Sequence, residues 1–110
     1  MSERPAELRV VLITAPDEPE AARIGRALVD EGLAACVNLV PGIRSIYRFE
    51  GAVADEGEVL MIAKTRADRF AALRRRVEEL HPYRVPEVVA LAVPEVAPAY
   101  AAWVLEECAP

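Results

Sequence analysis

The side chains that could carry chemistry in this chain are few. Lys64 is the only lysine and ends the apolar run Val59 to Ala63. One reading sends its ammonium past the strand end into water while its stem lies on apolar surface. The other makes it a cation at a rim, where Glu50, Glu87 or a bound anion completes the pair. His81 is the only histidine and closes a helical stripe, a position that the helix dipole favours. One imidazole cannot hold a metal tightly. With further ligands from a second copy, Glu87 being the nearest candidate, it would suit copper, zinc or nickel. Cys36 and Cys108 make neither a bridge framework nor a Cys-x-x-Cys site. Cys36 reads as a small buried hydrophobe within a strand, and Cys108 as part of a loose terminus. A zinc site within one chain is not expected from this set.

The motifs of common enzymes are missing. No G-x-x-x-x-G-K-[ST] loop and no G-x-G-x-x-G occurs. No G-x-S-x-G elbow is present, and the only serines, Ser2 and Ser45, suggest no triad. The chain therefore reads as a protein that is not an enzyme. A net charge of −5 argues against a nucleic-acid partner, since phosphate binding needs a basic surface. The one basic cluster, Arg74-Arg75-Arg76, is followed by Glu78 and Glu79 and reads as a solvated helix face. The aromatic pair that stacks bases on RNA-binding sheets is absent from the central strands. No apolar run approaches the roughly 18–20 residues that span a bilayer, so no membrane is expected. Met1 to Glu7 hold no apolar signal region, and the expected location is cytoplasmic.

These residues need elements to position them. The 110 residues fit one domain, residues 1–110, whose core must be aliphatic, because 54% of residues are hydrophobic but only 5% aromatic. Leu8 to Ala15 predict a strand, closed by Pro16. Asp17 offers an N-cap to a helix whose apolar stripe is Ala21, Ile24, Leu28 and Val29, ended by Gly32. A second strand, Ala35 to Val40, resumes from Ile43 to Phe49 after a bulge at Pro41-Gly42. Gly51 and Asp55-Glu56-Gly57 read as turn material leading into a third strand, Glu58 to Thr65. A helix from Asp68 to His81 presents Phe70, Leu73, Val77 and Leu80 and stops at Pro82. Tyr83 to Pro86 are extended, Glu87 to Val93 form the fourth strand, and a short helix holds Tyr100 and Trp103.

This order predicts an α+β fold, a ferredoxin-like βαββαβ sandwich with a four-stranded antiparallel sheet plus a short C-terminal helix. One sheet face should meet the helices and the other water, giving strict alternation. Val10-Val11-Leu12-Ile13, Val59-Leu60-Met61-Ile62 and Val88-Val89-Ala90-Leu91 are instead apolar on both faces. An apolar sheet face of that size needs a cover: another copy of the chain is the simplest one, and a monomer with an apolar ligand groove is the alternative.

Several runs carry a resemblance: Val11-Leu12-Ile13-Thr14-Ala15-Pro16-Asp17-Glu18, Leu33-Ala34-Ala35-Cys36-Val37-Asn38, and Pro41-Gly42-Ile43-Arg44-Ser45-Ile46-Tyr47 with Glu50-Gly51. Glu58 to Thr65 and His81-Pro82-Tyr83-Arg84-Val85-Pro86-Glu87 complete the set. In this order they resemble the CutA family of divalent-cation tolerance proteins. The resemblance implies a homotrimer, similar in architecture to PII signalling proteins, that serves divalent metal (copper) tolerance. It implies no obligatory cofactor, with copper or another divalent cation bound weakly at intersubunit clefts. The alternative is a PII-like sensor that takes a small anionic metabolite at the same clefts. Copper-binding members have a cysteine where this chain has Ile13 and paired histidines where it has Leu80 and His81. The resemblance therefore carries over His81 alone as a metal ligand. Glu50, Lys64, Tyr83 and Glu87 are the other residues it implies at the intersubunit cleft.

Overall fold

The computed structural model describes residues 7–109, so the reading of residues 1–6 as lacking a signal lies outside the described part. Along the chain run β1 (Leu8–Ala15), α1 (Glu18–Asp30), β2 (Cys36–Phe49), β3 (Ala52–Arg66), α2 (Phe70–Leu80), β4 (Val88–Ala92) and α3 (Pro98–Glu107). A single 3₁₀ turn, Ala67–Arg69, leads into α2, so the helix expected from Asp68 starts two residues later. The four strands make one antiparallel sheet in the order β2-β3-β1-β4. That is the expected ferredoxin-like arrangement.

Strand periodicity sorts the side chains. Val11, Ile13 and Ala15 of β1 and Val59, Met61 and Ala63 of β3 point at the helices, where they pack on Ile24 and Leu28 of α1 and Leu73 and Val77 of α2. Asp17 caps α1, its carboxylate accepting the Glu20 N–H at 2.9 Å. Gly25 lets α1 approach β2 closely, since a Cβ there would lie 3.3 Å from Val37 Cγ1. Arg76 ties the helices together through the Glu31 carboxylate at 2.9 Å.

The β2–β3 hairpin departs from expectation. Asp55-Glu56-Gly57 are not a turn; they lie within β3, opposite Ile46, Ser45 and Arg44. The chain reverses at Glu50-Gly51, both with positive φ (50° and 80°), directly after the Phe49–Ala52 pair. Two left-handed residues suit the right-handed twist of a two-residue hairpin. The polar stretch can remain a strand because the hairpin projects beyond the helices and needs no buried alternation. Its reach helps to make the molecule 54 Å long against 25 and 22 Å across. The bulge at Pro41-Gly42 is present as a register shift between Val40 and Ile43.

Two cysteine expectations are corrected. Cys108 is fully buried with Leu8, Ala35 and Val104, because α3 folds back over that end of the sheet. Cys36 is only half-buried. Among the described residues no helix is long and apolar enough to cross a membrane.

Candidate functional site

The sheet face away from α1 and α2 organises the polar residues. Strand register puts Val10, Leu12 and Thr14 of β1 in line with Lys64, Ile62 and Leu60 of β3. Cys36, Asn38 and Val40 of β2 face the same way on one side, and Val89 and Leu91 of β4 on the other. The middle of this face is apolar, and Val89 and Leu91 are exposed. After the bulge, Ser45, Tyr47 and Phe49 take over the same side, opposite Glu56, Ala54 and Ala52.

At the hairpin end of this face lies a groove of about 950 Å³. Its lining includes Tyr47, Glu50, Glu56, Glu58, Tyr83 and Glu87, with Arg84 as its one basic residue. Two phenol–carboxylate pairs define its floor. Tyr83 donates its hydroxyl to Glu58 Oε2 at 2.7 Å, and Tyr47 donates to Glu56 Oε2 at 3.2 Å. Glu58 is only 7% exposed, so the Tyr83 hydroxyl supplies a hydrogen bond that water can barely reach. Burial and then the Glu58 carboxylate push the Tyr83 phenol well above the usual tyrosine range. The Tyr47 phenol is raised too, by partial desolvation and then by Glu56. Both phenols therefore stay protonated and act as donors at neutral pH.

His81 orients this floor from behind. It caps α2, its N–H donating to Val77 O at 2.8 Å. Its ring lies 4.7 Å from the Tyr83 ring, centroid to centroid. Nε2 meets the Thr14 carbonyl at 2.7 Å, and Nδ1 accepts the Tyr83 N–H at 3.1 Å. A carbonyl can only accept and an N–H can only donate, so in this arrangement hydrogen sits on Nε2. Both nitrogens are thus occupied within the chain. A metal reaching Nδ1 must first break the bond to Tyr83.

Of the residues expected at the cleft, Glu50, Tyr83 and Glu87 line the groove, with His81 packed against Tyr83. Lys64 does not join them. It pairs in register with Cys36 and donates to the Asn38 side-chain oxygen, not to Glu50 or Glu87. Six residues separate it from Glu58 along β3, about 20 Å at the usual strand rise. Tyr47, Glu56 and Glu58 belong to the site but are not singled out by the sequence reading. The signal was the even spacing of Glu56, Glu58 and Lys64, which puts all three on one strand face. Ile13 is fully buried and Leu80 packs against the core. Among the described residues no group of three or more His, Cys, Asp or Glu side chains is placed to hold a metal ion.

The profile of the CutA1 divalent ion tolerance protein family matches residues 9–107. The chain belongs to that family. It is 52% identical over 97 residues to the divalent-cation tolerance protein CutA of Thermus thermophilus, covering 88% of this chain and 94% of that one. It is 44% identical over 100 residues to mouse protein CutA, covering 91% of this chain but 56% of the mouse protein. The chain thus spans little more than half the length of this mammalian relative. Among solved structures, that of the Thermus CutA1 superposes with a TM-score of 0.89 at 50% identity, covering 91% and 97% of the two chains. The rice CutA1 structure gives 0.91 at 39% identity, covering 94% of each.

These comparisons overturn the cytoplasmic expectation. Relatives from Arabidopsis and rice are named chloroplastic, and an Archaeoglobus fulgidus structure is of a periplasmic divalent cation tolerance protein CutA. The same fold is placed in several compartments, so this domain's composition does not encode an address.

Proposed function

We propose that this member of the CutA1 family acts in divalent metal-ion tolerance as a homotrimer, and that it holds a divalent cation, copper or another, weakly in the acidic groove where copies meet. The observation that carries this reading is the clustering of Glu50, Glu56, Glu58 and Glu87 around one groove with a single basic residue, Arg84. Carboxylate oxygens attract cations, and Glu58, the one buried member of the four, is screened least by water. One chain brings paired carboxylates, and a neighbour lying on the apolar face supplies the remaining ligands. The names of the relatives, divalent-cation tolerance proteins, support the same role. His81 contributes by fixing Tyr83, and it ligates directly only after giving up the Tyr83 N–H.

Calorimetric titration with copper and zinc tests the proposal on three proteins: the natural chain, Glu56→Gln/Glu58→Gln, and His81→Ala. Binding by the natural chain that is lost in the double variant supports it; equal binding by both, or none by the natural chain, rejects it. Loss in His81→Ala with retention in the double variant moves the site to the imidazole. The rival, a PII-like sensor of a small anionic metabolite, draws on Arg84. It wins if small dicarboxylates or phosphate esters raise the melting temperature and the metals do not.

A further inference from the structure

The buried core falls into two separate parts. Val11, Ile13, Met61, Leu73 and Val77 belong to the part under α1 and α2. Leu8, Ala35, Val104 and Cys108 form a second, smaller cluster, which α3 covers. Val104 is the only buried residue within that helix, and Cys108, its C-cap, is fully buried. The bulkiest side chains of α3, Tyr100 and Trp103, are exposed instead, their ring centroids 5.6 Å apart. Where α1 starts on the Asp17 carboxylate, Ala97 gives α3 no side-chain cap. Among the described residues, two side chains of β3 bond to the helix or its cap. Arg66 Nη1 donates to the Leu105 carbonyl at 3.3 Å. Thr65 Oγ1 lies 3.8 Å from Cys108 Sγ and gives its one hydrogen to the Leu33 carbonyl at 2.7 Å, so the thiol is the donor to it, and a weak one.

We infer that α3 is a strap that opens as a unit while the core under α1 and α2 stays folded, and that exchange at Cys108 with a small disulfide holds it open. Few buried apolar contacts and thin capping are the marks of a segment that opens below the free energy of global unfolding. Opening uncovers the Cys108 thiol and bares Leu8, Ala35 and the Thr65 hydroxyl. The exposed sulfur then attacks the disulfide: one S–S bond forms as another breaks, and the thiol proton ends on the departing thiol. The added group has no room where the sulfur was fully buried, so the helix stays out until a reductant removes it. The device is therefore a reversible redox switch on α3.

The test is reaction with an aromatic disulfide that releases a coloured thiolate, on the intact protein under native conditions. Cys36→Ala removes the half-buried thiol, so that the colour reports Cys108 alone. In that background Val104→Ala, which weakens the strap, should speed the reaction about tenfold or more. Leu73→Ala, which weakens the other core, should change it by less than about twofold. Equal acceleration by both variants means that only global unfolding exposes the thiol, and it overturns the strap. So does a native chain that never reacts while the urea-unfolded chain does. Hydrogen exchange read by mass spectrometry then tests the switch. The labelled chain should lose protection across Pro98–Glu107, keep it in β1 and α2, and regain it on reduction. A labelled chain with α3 still protected, or with protection lost throughout, overturns the switch.

Discussion

Replacing Tyr83 with Phe removes one oxygen atom from the groove and leaves the ring in place. The lost group is the donor to Glu58 Oε2 at 2.7 Å, and Glu58 is 7% exposed, so water cannot fully replace it. Hydrogen bonds to charged groups contribute about 1.5–3 kcal/mol, and leaving a buried acceptor unpaired costs a similar amount. Tyr83 itself is half-buried, which favours the low end, and we expect a loss of about 1.5 kcal/mol. For a chain of this size that is a fall in melting temperature of roughly 6 °C. The assay is thermal unfolding at fixed protein concentration, because melting of an oligomer depends on concentration. His81 should be undisturbed, since it holds the Tyr83 backbone N–H and not the hydroxyl. A Tyr83→Phe protein as stable as the natural one would refute the claim that this hydrogen bond organises the groove floor.

Alkaline pH offers a related check. The Tyr83 phenol is raised in the folded state, so its contribution is present below the unfolded tyrosine value near 10 and is lost as pH climbs above it. Stability of the natural chain should therefore fall more steeply above about pH 10 than that of Tyr83→Phe, by urea unfolding across pH. Glu50 occupies a left-handed backbone at φ 50°, which Asn tolerates better than Glu. Glu50→Asn should raise stability by about 0.5–1 kcal/mol while Glu50→Val lowers it, measured by thermal melts. Leu73 is fully buried between α2 and the sheet, so Leu73→Ala should cost about 2–5 kcal/mol in chemical denaturation.

The helices and the core were legible because Asp17, the Ile24–Leu28 stripe and the Leu73–Val77 stripe follow from capping and period. The open face was legible in Val10-Val11-Leu12-Ile13, whose double-sided apolarity breaks the alternation of a solvated sheet. The hairpin was not. Asp55-Glu56-Gly57 carry turn propensity, yet pairing with Arg44 to Ile46 keeps them extended, and Arg44 grips Asp55 at 2.7 Å. Propensity is local, whereas strand pairing is set by a partner nine or more residues away. Burial of Cys108 was hidden for the same reason, since it depends on α3 meeting Leu8 at the far end of the chain. The groove emerged only in part from sequence: Tyr83 and Glu87 lie in one noticeable run, but Tyr47, Glu56 and Glu58 join them through the register of β2 against β3.

The central claim is that divalent cations bind in the acidic groove between copies. Anomalous diffraction from crystals soaked in copper tests it most directly. A copper peak is expected in the groove beside the Glu56 and Glu58 carboxylates of one copy, closed by a neighbour. No peak in that groove, or copper seated at Cys36 instead, would contradict it.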